Sequence, residues 1–239
     1  MSGPASIEER LARLDWEAIE RSLGEWGYAR TPPILTPDEC GDLVALYSDD
    51  HGFRSRVDMA RYRFGIGEYK YFVRPLPGVV AALRAHAYPA LASIANRWEA
   101  VLDGPRRYPA DLDGFLRLCA AGGQTKPTPL LLRYEAGGYN CLHQDLYGEV
   151  AFPLQMTCAL SRRNVDFTGG ETLLVEQRPR AQSRGEVVPL EQGEAVIFAT
   201  RHRPARGSKG YYRATLRHGI SRVHSGRRYA LGVIFHDAG

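Results

Sequence analysis

The sequence is short of cysteine. Its four cysteines, Cys40, Cys119, Cys141 and Cys158, form no CxxC pair and show no regular spacing. That argues against a disulfide framework, so reduced thiols in a cytoplasmic protein are expected. Long hydrophobic runs are missing as well. No apolar stretch approaches the roughly 20 residues that a membrane span needs. The opening MSGPASIEERLARLDWEAIE has no basic segment leading into an apolar one, so no secretion signal is expected. Internal repeats and low-complexity linkers are also absent.

A strong charge of one sign is lacking over the whole chain, whose formal net charge is +4. The balance is uneven, however. Residues 161–239 carry 14 Lys/Arg against 7 Asp/Glu, whereas residues 1–160 carry 17 against 20. A basic second half suits an anionic substrate or nucleic acid, and a solvated basic surface is the plainer alternative. What remains is ordinary for a globular protein: 239 residues, 44% hydrophobic and 24% charged, enough for one substantial core.

The first half reads as mainly helical. Ile7, Leu11, Leu14, Ile19, Leu23 and Trp26 recur at helical spacing and predict one amphipathic helix over 6–26, ended by Gly27. Thr36, Pro37 and Glu39 form a capping-box pattern for a second helix to about Tyr47. Residues 51–74 are rich in arginine and aromatics, and GIG at 65–67 suggests a turn between two short strands. Residues 77–102 and 111–121 read as two more helices. After Gly122-Gly123 the texture changes to short apolar or alternating runs broken by Gly and Pro, the pattern of a β sandwich or barrel. Residues 203–217 read as a long loop or hairpin within that series. The chain is therefore expected to be α+β and one domain, with residues 1–126 mainly helical and packed on a β core of residues 127–239.

The chemistry starts at YNCLHQDLYGE, residues 139–149. Alternation along a strand would put His143 and Asp145 on one face, two ligands for a hard or borderline metal. The residues leave the third ligand open. Cys141 shares that alternation and would favour zinc. His202, in IFATRHRPAR, follows an apolar strand and precedes Arg213. His218 opens HGISRVHSGRRYALGVIF, with Arg228 ten residues on, after a turn expected at Ser225-Gly226. An arginine near a metal offers a bidentate clamp for a carboxylate. Arg227 and Arg228 should face opposite sides of a strand. Asn140 and Gln155 are further candidates to support the site, and His224 and His236 read as ordinary polar residues.

In order and spacing, HQD at 143–145, FTGGETLL at 167–174, GEAVIF at 193–198 and His218 ten residues before Arg228-Tyr229 resemble the iron(II)- and 2-oxoglutarate-dependent dioxygenases, in their prolyl-hydroxylase-like branch. NCLHQDLYGE and QRPRAQSR further resemble a bacterial subgroup named for a proposed oxidative demethylation of damaged nucleic acid. The resemblance implies a double-stranded β-helix, or jelly roll, and a metal triad of His143, Asp145 and His218 holding Fe(II). It implies Arg228 on the distal carboxylate of 2-oxoglutarate, with the Tyr134 hydroxyl on the same group. It also implies O2 as co-substrate, succinate and CO2 as co-products, and hydroxylation of a C–H bond. The substrate is left between a protein or peptide residue and an alkylated base. A non-enzymatic jelly-roll module that binds metal or nucleic acid is the alternative. The basic segments 178–186 and 201–213, with Tyr211 and Tyr212, are expected to border the mouth of the site, and Arg201, Arg203 and Arg206 to carry any nucleic-acid contact.

Overall fold

The computed structural model describes residues 5–145 and 147–239; residues 1–4 of the opening stretch read above lie outside the described residues. The expected first helix is two. Helix α1 (Ile7–Ala12) stops at Arg13, and Asp15 starts α2 (Trp16–Trp26) by accepting the Ala18 amide at 2.9 Å. A carboxylate that caps a new helix competes with continuation of the old one. Gly27, at φ 84°, ends α2. Strand β1 (Tyr28–Arg30) follows. Helix α3 (Pro37–Leu46) has the full capping box of Thr36 and Glu39. Then come β2 (Phe53–Asp58), β3 (Gly65–Ile66) and β4 (Glu68–Phe72). Helix α4 (Gly78–Val101) carries Pro89 in its interior, and α5 (Leu112–Ala121) is capped by Asp111.

The remaining strands are β5 (Leu130–Glu135), β6 (Tyr139–His143), β7 (Leu154–Ala159), β8 (Phe167–Gly169), β9 (Thr172–Gln177), β10 (Arg184–Val188), β11 (Ala195–Ala199), β12 (His202–Gly207), β13 (Gly210–Ile220) and β14 (Val223–Val233). They fold into two antiparallel sheets. One has the order β1-β11-β7-β14-β5-β4-β2, with β8 on β14. The other runs β10-β9-β13-β6-β3, with β12 on β13. From β5 onward the chain passes repeatedly from one sheet to the other, which is the jelly-roll winding. The GIG segment is not a hairpin turn: β3 pairs with β6 in one sheet and β4 with β5 in the other, so Gly67 is where the chain changes sheets. Residues 202–220 are a hairpin of β12 on β13 rather than a loose loop.

The main core mixes α4 side chains (Val80, Leu83, Leu91, Ile94) with inward strand residues such as Leu131, Met156, Ile197 and Val233. The helices pack mainly on the sheet that holds β7, β11 and β14, with α2 and α4 also reaching β12, and the space between the two sheets is left for the site.

Candidate active site

His143 is the last residue of β6, and His218 sits opposite it in the β13–β6 ladder. Their rings lie 4.2 Å apart between centroids. Asp145 lies two residues past the end of β6, and its carboxylate comes to the same side as His143. Its Oδ1 is 3.4 Å from His143 Nε2 and its Oδ2 is 3.2 Å from His218 Nε2. One ligand atom from each of the three residues lies within 4.8 Å of the others, and this is the one such cluster among the described residues. His218 stands inside β13, not ahead of a strand. The turn that follows it is at Ser221-Arg222, while Ser225-Gly226 lies within β14, where the pairing shifts register.

Local partners set each group. His143 Nδ1 donates to the Cys141 carbonyl at 2.8 Å, which leaves Nε2 free to bind. Burial alone would push the Asp145 carboxyl up. The charge on His218 and hydrogen bonds with both imidazoles outweigh it and hold Asp145 well below the usual carboxylate range. Burial pushes His218 down, opposed by the charge and hydrogen bond of Asp145. It works against His143 too, but the hydrogen bond and charge of Asp145 prevail and raise that ring. Gln155 Nε2 donates to Asp145 Oδ2 at 2.9 Å and Tyr147 Oη donates to Oδ1 at 3.0 Å. An anionic carboxylate between two imidazoles, each group already oriented, is a donor set that suits Fe(II) and leaves one face open.

The triad lines a cavity of about 370 Å³ between the sheets. From the other sheet, β14 contributes Arg228 and β5 contributes Tyr134, which are cross-strand partners. Arg228 is 4% exposed, and its Nη1 has no hydrogen-bond partner among the described residues. Burial pulls the guanidinium pKa down, opposed by Tyr134 and Glu171. The hydroxyls of Tyr134 and Thr172, also in the lining, are likewise buried without partners. Burial pushes the Tyr134 hydroxyl up, so it stays protonated as a donor. A buried cation is costly unless it meets an anion. A guanidinium and two hydroxyls that line the same cavity as the triad are the kind of donors a carboxylate takes. Gly170, at φ 64°, makes room for Arg228: a Cβ there would stand 2.9 Å from Arg228 Cδ. Arg227 faces the other way, exposed, 3.2 Å from Glu135.

The rival ligands fall away. His202 starts β12, bonds Thr215 Oγ1 at 3.3 Å and does not line the cavity. Cys141 lines the cavity with an exposed thiol but is not in the ligand cluster. Asn140 and Gln155 both line it. His224 and His236 do not; His236 is fully buried, its Nδ1 accepting the Phe152 amide at 3.2 Å. The basic segments 178–186 and 201–213 contribute nothing to the lining. Arg178, Arg184 and Arg203 gather on Glu176, and Arg203 is buried there while also donating to the carbonyls of Gly24 and Glu25. The exposed lining residues are instead Arg63, Phe64, Cys141 and Leu142. Tyr147 and Thr172 were not foreseen either, although they lie inside NCLHQDLYGE and FTGGETLL.

Residues 67–238 match the Oxygenase-NA family, described as oxygenases catalysing oxidative methylation of damaged DNA. The uncharacterized protein Rv2227 of Mycobacterium tuberculosis is 51% identical over 167 residues, covering 70% of this chain and 72% of that protein. An oxidoreductase of the 2OG-Fe(II) oxygenase family from Burkholderia pseudomallei superposes with a TM-score of 0.54 at 12% identity, over 95% of this chain and 94% of its own. A prolyl-4-hydroxylase from Pseudomonas putida gives 0.52 at 14% identity, over 94% and 100%. These two likenesses show the jelly-roll fold of oxygenases that use Fe(II), 2-oxoglutarate and O2, and no described helix is long and apolar enough to cross a membrane. The chain belongs to the Oxygenase-NA family, an oxygenase built on the fold of the iron(II)- and 2-oxoglutarate-dependent enzymes.

Proposed function

We propose that His143, Asp145 and His218 hold Fe(II), that Arg228 and Tyr134 hold the distal carboxylate of 2-oxoglutarate, and that the enzyme hydroxylates a C–H bond of an N-alkyl group on a nucleic-acid base. The observation that carries the cofactor assignment is the buried Arg228 guanidinium, whose Nη1 has no hydrogen-bond partner among the described residues, sharing a cavity with the triad. The family description carries the substrate class.

Bound Fe(II) supplies O2 activation at the positions that three protein ligands leave free. The chain's own work is positioning. His143 is fixed by its bond to Cys141, Asp145 is held by Gln155 and Tyr147, and Arg228 sets the reach of the co-substrate. Leu130, Leu132, Met156 and Ile234 line the rest of the cavity and keep it dry. In the balanced reaction, 2-oxoglutarate and O2 become succinate and CO2, and one oxygen atom enters the C–H bond. A hydroxylated N-methyl carbon then leaves as formaldehyde, and the nitrogen regains its proton. We further infer a single domain over 1–239, supported by the core shared between α4 and the sheet, and a cytoplasmic location, supported by four free thiols.

Anaerobic titration with Fe(II) and 2-oxoglutarate tests the cofactor site through the visible charge-transfer band of the chelate. The band is expected in the wild type and in His202→Ala, lost in His218→Ala, and reached only at higher 2-oxoglutarate in Arg228→Ala. Truncating one side of a buried charge pair implies a loss of roughly 30-fold or more. A wild type without the band sinks the assignment. Succinate release with N-methylated oligonucleotides against peptides then tests the substrate, and turnover on peptides alone would overturn the nucleic-acid reading.

A further inference from the structure

One surface feature stands outside the cofactor site. The segment joining β2 to β4 runs along the cavity mouth. It is fixed from below: Met59 is fully buried beside Tyr134, Phe167, Ile220 and Val223. Its amide donates to the Gly67 carbonyl at 3.0 Å, and its carbonyl accepts from Phe64 at 3.0 Å. The Phe64 carbonyl in turn accepts the Cys141 amide at 2.7 Å, tying the segment to the strand that carries His143. Asp58 caps the short turn Met59–Tyr62, and Arg63 takes a left-handed conformation at φ 59°, uncommon for a residue with a side chain. Gly65 and Gly67 allow close approach, since a Cβ at either would stand within 3 Å of Tyr139 O or the Tyr134 ring.

The upper side of this rigid segment is open. Tyr62 is 60% exposed and Phe64 45%, and their rings stack at 5.5 Å and 21°. Ile66 and Leu142 are also exposed, and Phe64, Arg63 and Leu142 reach the cavity. Arg61 and Arg63 are exposed and form no ion pair among the described residues, in contrast to Arg178, Arg184 and Arg203. Exposed apolar side chains scattered singly need no explanation, but a preorganised aromatic ledge at the mouth of a cavity does.

We propose that this ledge is the docking surface for a single strand of DNA, with bases stacking on Tyr62 and Phe64 and phosphates pairing with Arg61 and Arg63. The inference rests on the nucleic-acid reading of the substrate and adds the element that would grip it. Charge complementarity selects this occupant. Two guanidinium groups without acidic partners flank two open π faces, which is what an anionic backbone carrying flat bases requires. A wholly apolar peptide would leave both arginines unanswered. An enzyme acting on a base must also hold the strand while that base leaves its stack, and a fixed ledge beside the cavity does so.

The test uses the full chain loaded with Fe(II) and 2-oxoglutarate under anaerobic conditions, and a fluorescein-labelled single-stranded oligodeoxynucleotide read by anisotropy across a salt series. Tyr62→Ala/Phe64→Ala is expected to weaken binding roughly 30-fold or more with the salt slope kept. Arg61→Gln/Arg63→Gln is expected to weaken binding and flatten the log–log salt slope by about 1.4, two single-strand phosphate contacts. The chelate band must persist in both variants, which excludes a folding defect. If the wild type binds and both variants match it in affinity and slope, the ledge is overturned while the substrate reading stands. If the wild type binds no oligonucleotide, the substrate reading fails and the ledge proposal with it.

Discussion

At Asp145 one carboxylate meets two imidazoles and two neutral donors, and each of its oxygens already has a protein hydrogen bond. Removing one donor tests how much the orientation matters. Tyr147→Phe keeps the ring against His236 and loses only the hydroxyl. Fe(II) affinity is expected to fall about 10- to 100-fold with little change in thermal stability, measured by anaerobic metal titration. His236 gives a second prediction, for acid stability. Burial holds its pKa at about 4, below the ordinary 6.5. The native state therefore keeps this ring neutral while the unfolded chain protonates below 6.5. Its contribution is full above that pH and fades as pH falls toward 4, by up to about 3 kcal/mol. Denaturant curves at pH 7 and pH 4.5 should show the gap between wild type and His236→Gln shrinking at the lower pH; an unchanged gap would contradict the buried neutral ring.

Two elements shape the site from outside the His143, Asp145 and His218 cluster. The turn between β8 and β9 places Gly170 against the stem of Arg228, with a positive φ that an alanine would strain. Gly170→Ala is expected to cost about 1–3 kcal/mol of stability and to raise the 2-oxoglutarate concentration needed for half the chelate band, because the guanidinium must shift. The β12–β13 hairpin is held differently. Arg203 and Glu176 are both buried, 2.6 Å apart, and Arg203 also caps the end of α2. Glu176→Ala leaves that guanidinium buried and unpaired, with an expected loss of about 3–5 kcal/mol in equilibrium denaturation. Arg203 is therefore part of the fold rather than a nucleic-acid contact, and a variant that removes it would report on folding before binding.

Over the whole molecule, the largest apolar cluster joins α1 to α4 with inward strand residues from both halves of the chain. Leu91, fully buried in α4, is a suitable probe. Leu91→Ala is expected to cost about 2–5 kcal/mol. In denaturant, the far-ultraviolet signal and the chelate band should then disappear in one shared transition. Two separated transitions would mean that helices and sheets unfold independently.

Much of this was legible in the residues because local physics set it. The capping box at Thr36 starts α3. Alternation puts Arg227 outside and Arg228 inside. The glycines of FTGGET mark a turn that only a residue without Cβ fits. Other features needed distant parts of the chain to meet. Spacing alone left His202, His218 and Cys141 open as third ligand, because a ligand's partner across a sheet is set by register, and only the β13–β6 pairing puts His218 opposite His143. The break at Arg13–Asp15, the burial of Arg203 and the aromatic rim around Tyr62 have the same origin. A sequence determines which side chains share a strand face or a helix stripe, since those periods are local. Which faces meet, and so which charges are left for a co-substrate, was decided by the tertiary packing, where register and burial are fixed by contacts far apart in the chain.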